Sequence, residues 1–207
     1  MNEHLENLKE IRTLMERSSK FLSLSGSSGI SAGIIALIGA FMVYSKKVEI
    51  TGNSSPQGIL DATNVEGDFK QYIFKIALVT LLGALIGGVY FTIRKAKKSN
   101  EKVWNNLSKK LLINLTIPLI AGAIYSLALV QQNNMWMAAA STLIFYGLAL
   151  VFASNYTVRD VFSLGLCEIS LGLLSIFFTG YTFLFWVIGF GLLHILYGGL
   201  MYFKYDK

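Results

Sequence analysis

Two ionisable residues, Glu168 and His194, stand inside long apolar runs of this sequence, Glu168 within 161–179 and His194 within 183–203. A charge at the centre of a membrane helix costs about 2.5–3.5 kcal/mol on insertion scales, so such groups pair with each other or serve a function. The two residues are equally distant in sequence from Tyr181, which sits in the short link between the runs. An antiparallel hairpin of two helices therefore brings them to the same depth. A carboxyl and an imidazole in contact share a proton or form an ion pair, and either arrangement lowers the penalty of keeping them there. Two readings follow: an intramembrane proton or cation site, or a buried hydrogen bond that fixes the register of the hairpin. Lys75 lies about one turn inside its own run, where a long side chain snorkels to the interface, and it needs no function.

Other chemistry is sparse. Cys167 is the one cysteine and His4 and His194 the two histidines, which excludes an internal disulfide, a cysteine-rich metal centre and a multi-histidine site. Cys167 adjoins Glu168, but neighbours on a helix point about 100° apart, so they form no pair. There is no Gly-rich phosphate loop and no His-Glu-x-x-His motif. No catalytic residues, no metal and no cofactor are expected, and the chain reads as non-enzymatic. Ser23, Ser27 and Ser31 repeat every four residues, beside Ser25 and Ser28. They line a polar path or bond back to carbonyls of their own helix. Gly29 and Gly33, and Gly83 and Gly87, have the small-residue spacing that lets membrane helices approach closely, inside the bundle or against a second copy in a homo-oligomer.

The elements that hold these residues follow from length and composition. The 207 residues are 54% hydrophobic and only 14% charged, where a soluble domain carries about 25% charge. Six runs reach the roughly 20 residues a bilayer-spanning helix needs: 21–44, 72–93, 111–130, 135–154, 161–179 and 183–203. Backbone in lipid must satisfy its own hydrogen bonds, and the runs are continuous rather than alternating, so they are helices and not barrel strands. The fold class is all-α: a polytopic membrane bundle of six transmembrane helices over 21–207, preceded by an amphipathic cytoplasmic helix over 1–20. Lys9, Arg12, Arg17 and Lys20 precede the first span; Arg94, Lys95, Lys97, Lys98, Lys102, Lys109 and Lys110 join the second to the third. Arg159, Lys204 and Lys207 fall on that same side, and only Lys46, Lys47 and Lys70 on the other. Basic residues gather on the cytoplasmic side, which puts both termini there. The basic loop 94–110 meets anionic lipids; nucleic acid is not an expected partner.

Leu5, Leu8, Ile11, Leu14 and Met15 give the opening segment its apolar face. It either lies on the membrane ahead of the first span or docks a cytoplasmic protein partner. No cleavable signal peptide is expected, and the first span reads as an uncleaved anchor. Residues 45–70, with Gly52, Asn53, Pro56 and Gly58 as turn signals, are too short for a folded ectodomain. Trp104 among charges predicts a short headgroup helix, and Asn114 with Pro118 a kink. Leu85-Ile86-Gly87-Gly88, Phe145-Tyr146-Gly147-Leu148 and Leu196-Tyr197-Gly198-Gly199 hint at a repeated hairpin.

The stretch from Leu5 to Ala40, with its Leu-Ser-Leu-Ser-Gly-Ser-Ser-Gly-Ile-Ser-Ala-Gly core, resembles the opening of uncharacterised six-span inner-membrane proteins of Bacteroidota-type bacteria. The resemblance implies a place in a bacterial inner membrane and association with small winged-helix regulators, and brings no catalytic residues. The expected function is therefore a sensing, regulatory or partner-coupling membrane component. The alternative is a small-solute or proton-linked transporter using Glu168 and His194.

Overall fold

The computed structural model describes residues 25–61, 67–99 and 103–206, and every element in them is helical. These are α1 (Gly26–Thr51), α2 (Gly67–Lys98), α3 (Asn106–Gln131), α4 (Met135–Ala153) and α5 (Asp160–Phe177). A sixth span, Thr179–Tyr205, is composite. It contains α6 (Thr182–Trp186), a π-helical segment (Val187–Leu193) and α7 (His194–Met201). All six are long and apolar enough to cross a membrane. The amphipathic helix read over 2–20, and Ser23, lie outside the described residues.

α1, α2, α3 and the sixth span run past the apolar stretches that announced them, while α4 and α5 match theirs to within two residues. α1 continues past Tyr44 to Thr51 and stops where Gly52, at φ +65°, turns left-handed and its N–H bonds to the Val48 carbonyl. α2 begins before Tyr72 and runs beyond Ile93 to Lys98. Hydrophobicity marks where lipid is; a helix ends only where a cap or turn takes over its free backbone groups. The same reason removes the headgroup helix expected at Trp104. Asn105 caps α3: its side-chain oxygen accepts from the Ser108 N–H while the Ser108 hydroxyl accepts from the Asn105 N–H. Trp104 is left on a bend, 65% exposed, with the Lys109 ammonium over its ring. α3 runs through Pro118, and the Asn114 side chain donates to the Lys110 carbonyl.

α1, α4, α5 and the sixth span form the interior, α1 packing on the sixth span and α4 on α5. α2 lies outside α1 and α3 outside α4. Their outer faces carry exposed Leu82, Ile86 and Val89, and Ile113, Ile117 and Ile124, an apolar surface suited to lipid and not to water. Glycines set the closest approaches. A Cβ at Gly147 would lie 2.6 Å from the Gly165 carbonyl oxygen, and one at Gly165 would lie 2.8 Å from that of Gly147. A Cβ at Gly33 would meet the Gly191 oxygen at 2.6 Å, and one at Gly29 the Gly198 Cα at 3.0 Å. Gly83 and Gly87 face Ile35 and Ser31 of α1. Both predicted glycine stripes thus pack within the chain.

The bundle has two distinct ends. At the loop end the Gly58 N–H bonds to the Gly180 carbonyl and Lys70 to Asn133, which ties three links together. At the basic end Lys204 and the Tyr205 hydroxyl hold Asp160 at 3.1 and 2.8 Å.

Gly147→Ala and Gly165→Ala should each destabilise the bundle by about 1–3 kcal/mol through overpacking. Gly88→Ala and Gly199→Ala, where a Cβ meets nothing within 4 Å, should stay within about 0.5 kcal/mol of the parent. Reversible unfolding in detergent measures the contrast.

Candidate functional site

α5 turns Val161, Leu164, Gly165, Glu168, Gly172 and Ser175 inward, a spacing of three and four that makes one helical face. Glu168 is 0% exposed at the centre of that face. Opposite it, His194 opens α7 directly after the π-helical segment. A π-helical turn shifts backbone pairing by one residue and alters which carbonyls remain available. Here the Gly189 carbonyl, five residues before His194, lies 2.9 Å from His194 Nδ1. The other ring nitrogen, Nε2, is 2.8 Å from the Tyr146 hydroxyl on α4. Nδ1 is also 3.4 Å from Glu168 Oε1. Phe190 stacks on the imidazole at 5.9 Å between centroids, and its ring lies 5.1 Å from that of Tyr146.

Gly189 has a steric duty. A Cβ there would stand 2.5 Å from Glu168 Oε2 and 2.6 Å from Leu143 Cδ2, so only glycine leaves the carboxyl its place. Even so, neither oxygen of Glu168 has a hydrogen-bond partner among the described residues. A lone carboxylate there would be desolvated without compensation, which is expensive. Two proton placements relieve it: a neutral Glu168 beside a neutral His194, or an imidazolium that serves as counter-ion. The site can therefore hold one ionisable proton in either of two positions.

Both exits are sealed. Towards the loop end Ile59 (0% exposed) and Leu60 pack with Val43, Met135 and Phe183, while Trp186 and Val187 close in behind them. The segment that carries Ile59 is held by Lys47, itself buried, whose ammonium donates to the Asn53 and Ser55 carbonyls at 2.9 and 2.8 Å. The link read as too short for an ectodomain is a plug. Towards the basic end Leu150, Val158, Val161, Leu164 and Met201 cluster against Tyr146 and Leu193.

The serine stripe does not reach this site. Ser25 caps α1, the Ser28 hydroxyl donates to the Ser25 carbonyl, and the Ser31 hydroxyl donates to that of Ser28 at 2.9 Å. Ser27 donates its backbone N–H to the Ser25 hydroxyl. Gly29-Ile30-Ser31-Ala32-Gly33 does match Gly-x-Ser-x-Gly. That pattern makes a nucleophile only on a strand-to-helix turn, and here it lies within α1 with Ser31 against Gly87. Among the described residues no three His, Cys, Asp or Glu side chains gather as a metal site.

Tyr146 and Gly189 were not singled out as site residues from sequence. Tyr146 carries the one available signal, a phenol in the middle of an apolar run; nothing in the string marks the π-helical turn that aims His194.

Glu168→Gln and His194→Leu should each destabilise the protein, and the double variant by less than the sum. A coupling of about 0.6 kcal/mol, the average for polar pairs in membrane helices, is expected from a double-mutant cycle. Strict additivity would mean that the groups do not interact.

No protein-family model matches the chain, and no curated protein or solved structure does.

Proposed function

We propose that this chain is a proton-linked multi-pass membrane protein of the small-solute transporter class, with Glu168 and His194 as its proton site. One observation carries the reading: a fully buried carboxyl with no hydrogen-bond donor among the described residues, 3.4 Å from an imidazole. A bond that served only to set hairpin register would be expected to use all its polar atoms, since an unmet buried group is a net cost. A group that must gain and lose a proton gains from being poised between two states. The two apolar seals support the same reading. Loss of the proton leaves Glu168 charged in a dry interior, so it requires water or a cationic solute to enter, and that requirement couples the proton to whatever opens the bundle. The sensing or partner-coupling role expected from the sequence rests on residues 2–20 and the basic loop, to which the interior geometry adds nothing.

The proposed orientation follows the basic residues: basic end in the cytoplasm, loop end outside, in a bacterial inner membrane. In a Cys167→Ser background, a cysteine at Asn53 should react with an impermeant thiol reagent on intact cells. One at Asn106 should react only after permeabilisation. Labelling of the 106 site in intact cells would reverse the orientation.

The proton site itself is tested by infrared difference spectroscopy of the full chain in lipid. A carboxylic C=O band assigned to Glu168, absent in Glu168→Gln, should disappear as the pH is raised across the range in which the fold survives, and return on acidification. A Glu168 protonation state that does not change over that range would leave the pair a purely structural contact and overturn the proposal.

A further inference from the structure

The geometry points to Tyr146 as the relay through which His194 gains and loses its proton, an inference that rests on the proton-site reading above. One ring nitrogen of His194 is not free to change. Nδ1 faces the Gly189 carbonyl at 2.9 Å and Glu168 Oε1 at 3.4 Å. A carbonyl oxygen only accepts, so Nδ1 must carry hydrogen to satisfy it. That holds whether the imidazole is neutral or charged. The neutral ring is then bare at Nε2, where the Tyr146 hydroxyl, 2.8 Å away, donates to it. The charged ring has hydrogen at both nitrogens, and the Tyr146 oxygen accepts from Nε2.

Two consequences follow. First, a protonated Glu168 cannot hand its proton to the ring at the nitrogen it faces, because that nitrogen is already occupied; the proton of His194 exchanges at Nε2 alone. Second, every exchange at Nε2 passes through one phenol. As Nε2 takes the hydroxyl hydrogen of Tyr146, the phenol oxygen accepts another from a hydronium on its far side, which is left as water. One O–H bond breaks, another forms, and Tyr146 ends neutral with its hydrogen turned from the ring. Release runs the same steps backwards. Tyr146 packs against Leu150, Val158, Val161, Leu164 and Met201, so the relay meets water at the basic end only when that apolar seal opens.

The remaining titratable groups do not offer a second port. From α5, Glu168 faces Nδ1 only, and Cys167 is engaged with the Tyr197 hydroxyl of α7 at 3.8 Å. α1 brings Gly29 and Gly33 to this region, and its own titratable side chains, Tyr44, Lys46, Lys47 and Glu49, lie near the loop end. Asp160 is held at the basic end by Lys204 and Tyr205. The π-helical turn is therefore a positioning device: by presenting the Gly189 carbonyl to Nδ1 it selects the tautomer, and the tautomer selects the port.

The test uses nitrogen-15 histidine in the full chain with His4→Gln, which leaves His194 as the one labelled ring. In lipid the neutral form should show a protonated Nδ1 and a bare Nε2, and acidification should add the proton at Nε2. Tyr146→Phe keeps the ring stacked and removes the hydroxyl. It should slow interconversion of the two His194 states about 100-fold while leaving the infrared amplitude of Glu168 intact. A neutral form protonated at Nε2, or an exchange rate that Tyr146→Phe leaves unchanged, would overturn the relay. Should Tyr146→Phe fail to fold, the tautomer in the parent decides alone. A correct tautomer together with a Glu168 that never titrates would instead overturn the proton-site reading and keep the geometry.

Discussion

A carboxyl buried from the surface, with no hydrogen-bond donor among the described residues, constrains most of what surrounds it. Glu168 can be charged only if a positive partner stands close, and neutral only if a proton is held. In the second case the carboxyl keeps its own proton, and a protonated His194 meets the first condition from 3.4 Å. For it to do so, α5 and the sixth span must agree in depth, Gly189 must lack a side chain, and the sixth span must leave α-helical geometry between Val187 and Leu193. The tolerance is narrow, because a Cβ at Gly189 would already collide with the carboxyl.

The rest of the bundle protects this arrangement from solvent. Close crossings at Gly147 and Gly165 bring α4 against α5, and Gly29, Gly33 and Gly198 do the same for α1 and the sixth span. In lipid no hydrophobic drive holds helices together, so this backbone-to-backbone packing supplies the adhesion. α4 in turn delivers Tyr146 to the imidazole, and α1 delivers Lys47, which ties down the plug that carries Ile59. α2 and α3, at the periphery, face lipid and contribute no side chain to the site.

The sequence announced the spans well because hydrocarbon thickness and backbone hydrogen bonding leave few options for an apolar run of 20 residues. Helix ends were less legible: Gly52 and Asn105 decide them through capping that hydrophobicity does not register. The Glu168–His194 juxtaposition could be read because a hairpin turns sequence distance from Tyr181 into depth. Tyr146 could not, since it comes from α4, outside that hairpin, and its approach depends on how α4 rotates against α5. The plug was hidden for a related reason. Ile59 and Leu60 are two apolar residues in a polar link, and only the tertiary fold buries them. Of the two readings of the serine stripe, the hydroxyls of Ser28 and Ser31 bear out the second, since they donate to the carbonyls of Ser25 and Ser28 in their own helix.

Whether the buried pair exists in a membrane as described is decided most directly by a distance. Solid-state nuclear magnetic resonance on the full chain in lipid can measure the separation between a carbon-13 label on the Glu168 carboxyl and a nitrogen-15 label on the His194 ring. Contact is expected, within about 4 Å, with a change in the ring's protonation as pH is varied and no loss of contact. A separation beyond about 6 Å at every pH would contradict it, and would leave Glu168 in need of a different partner.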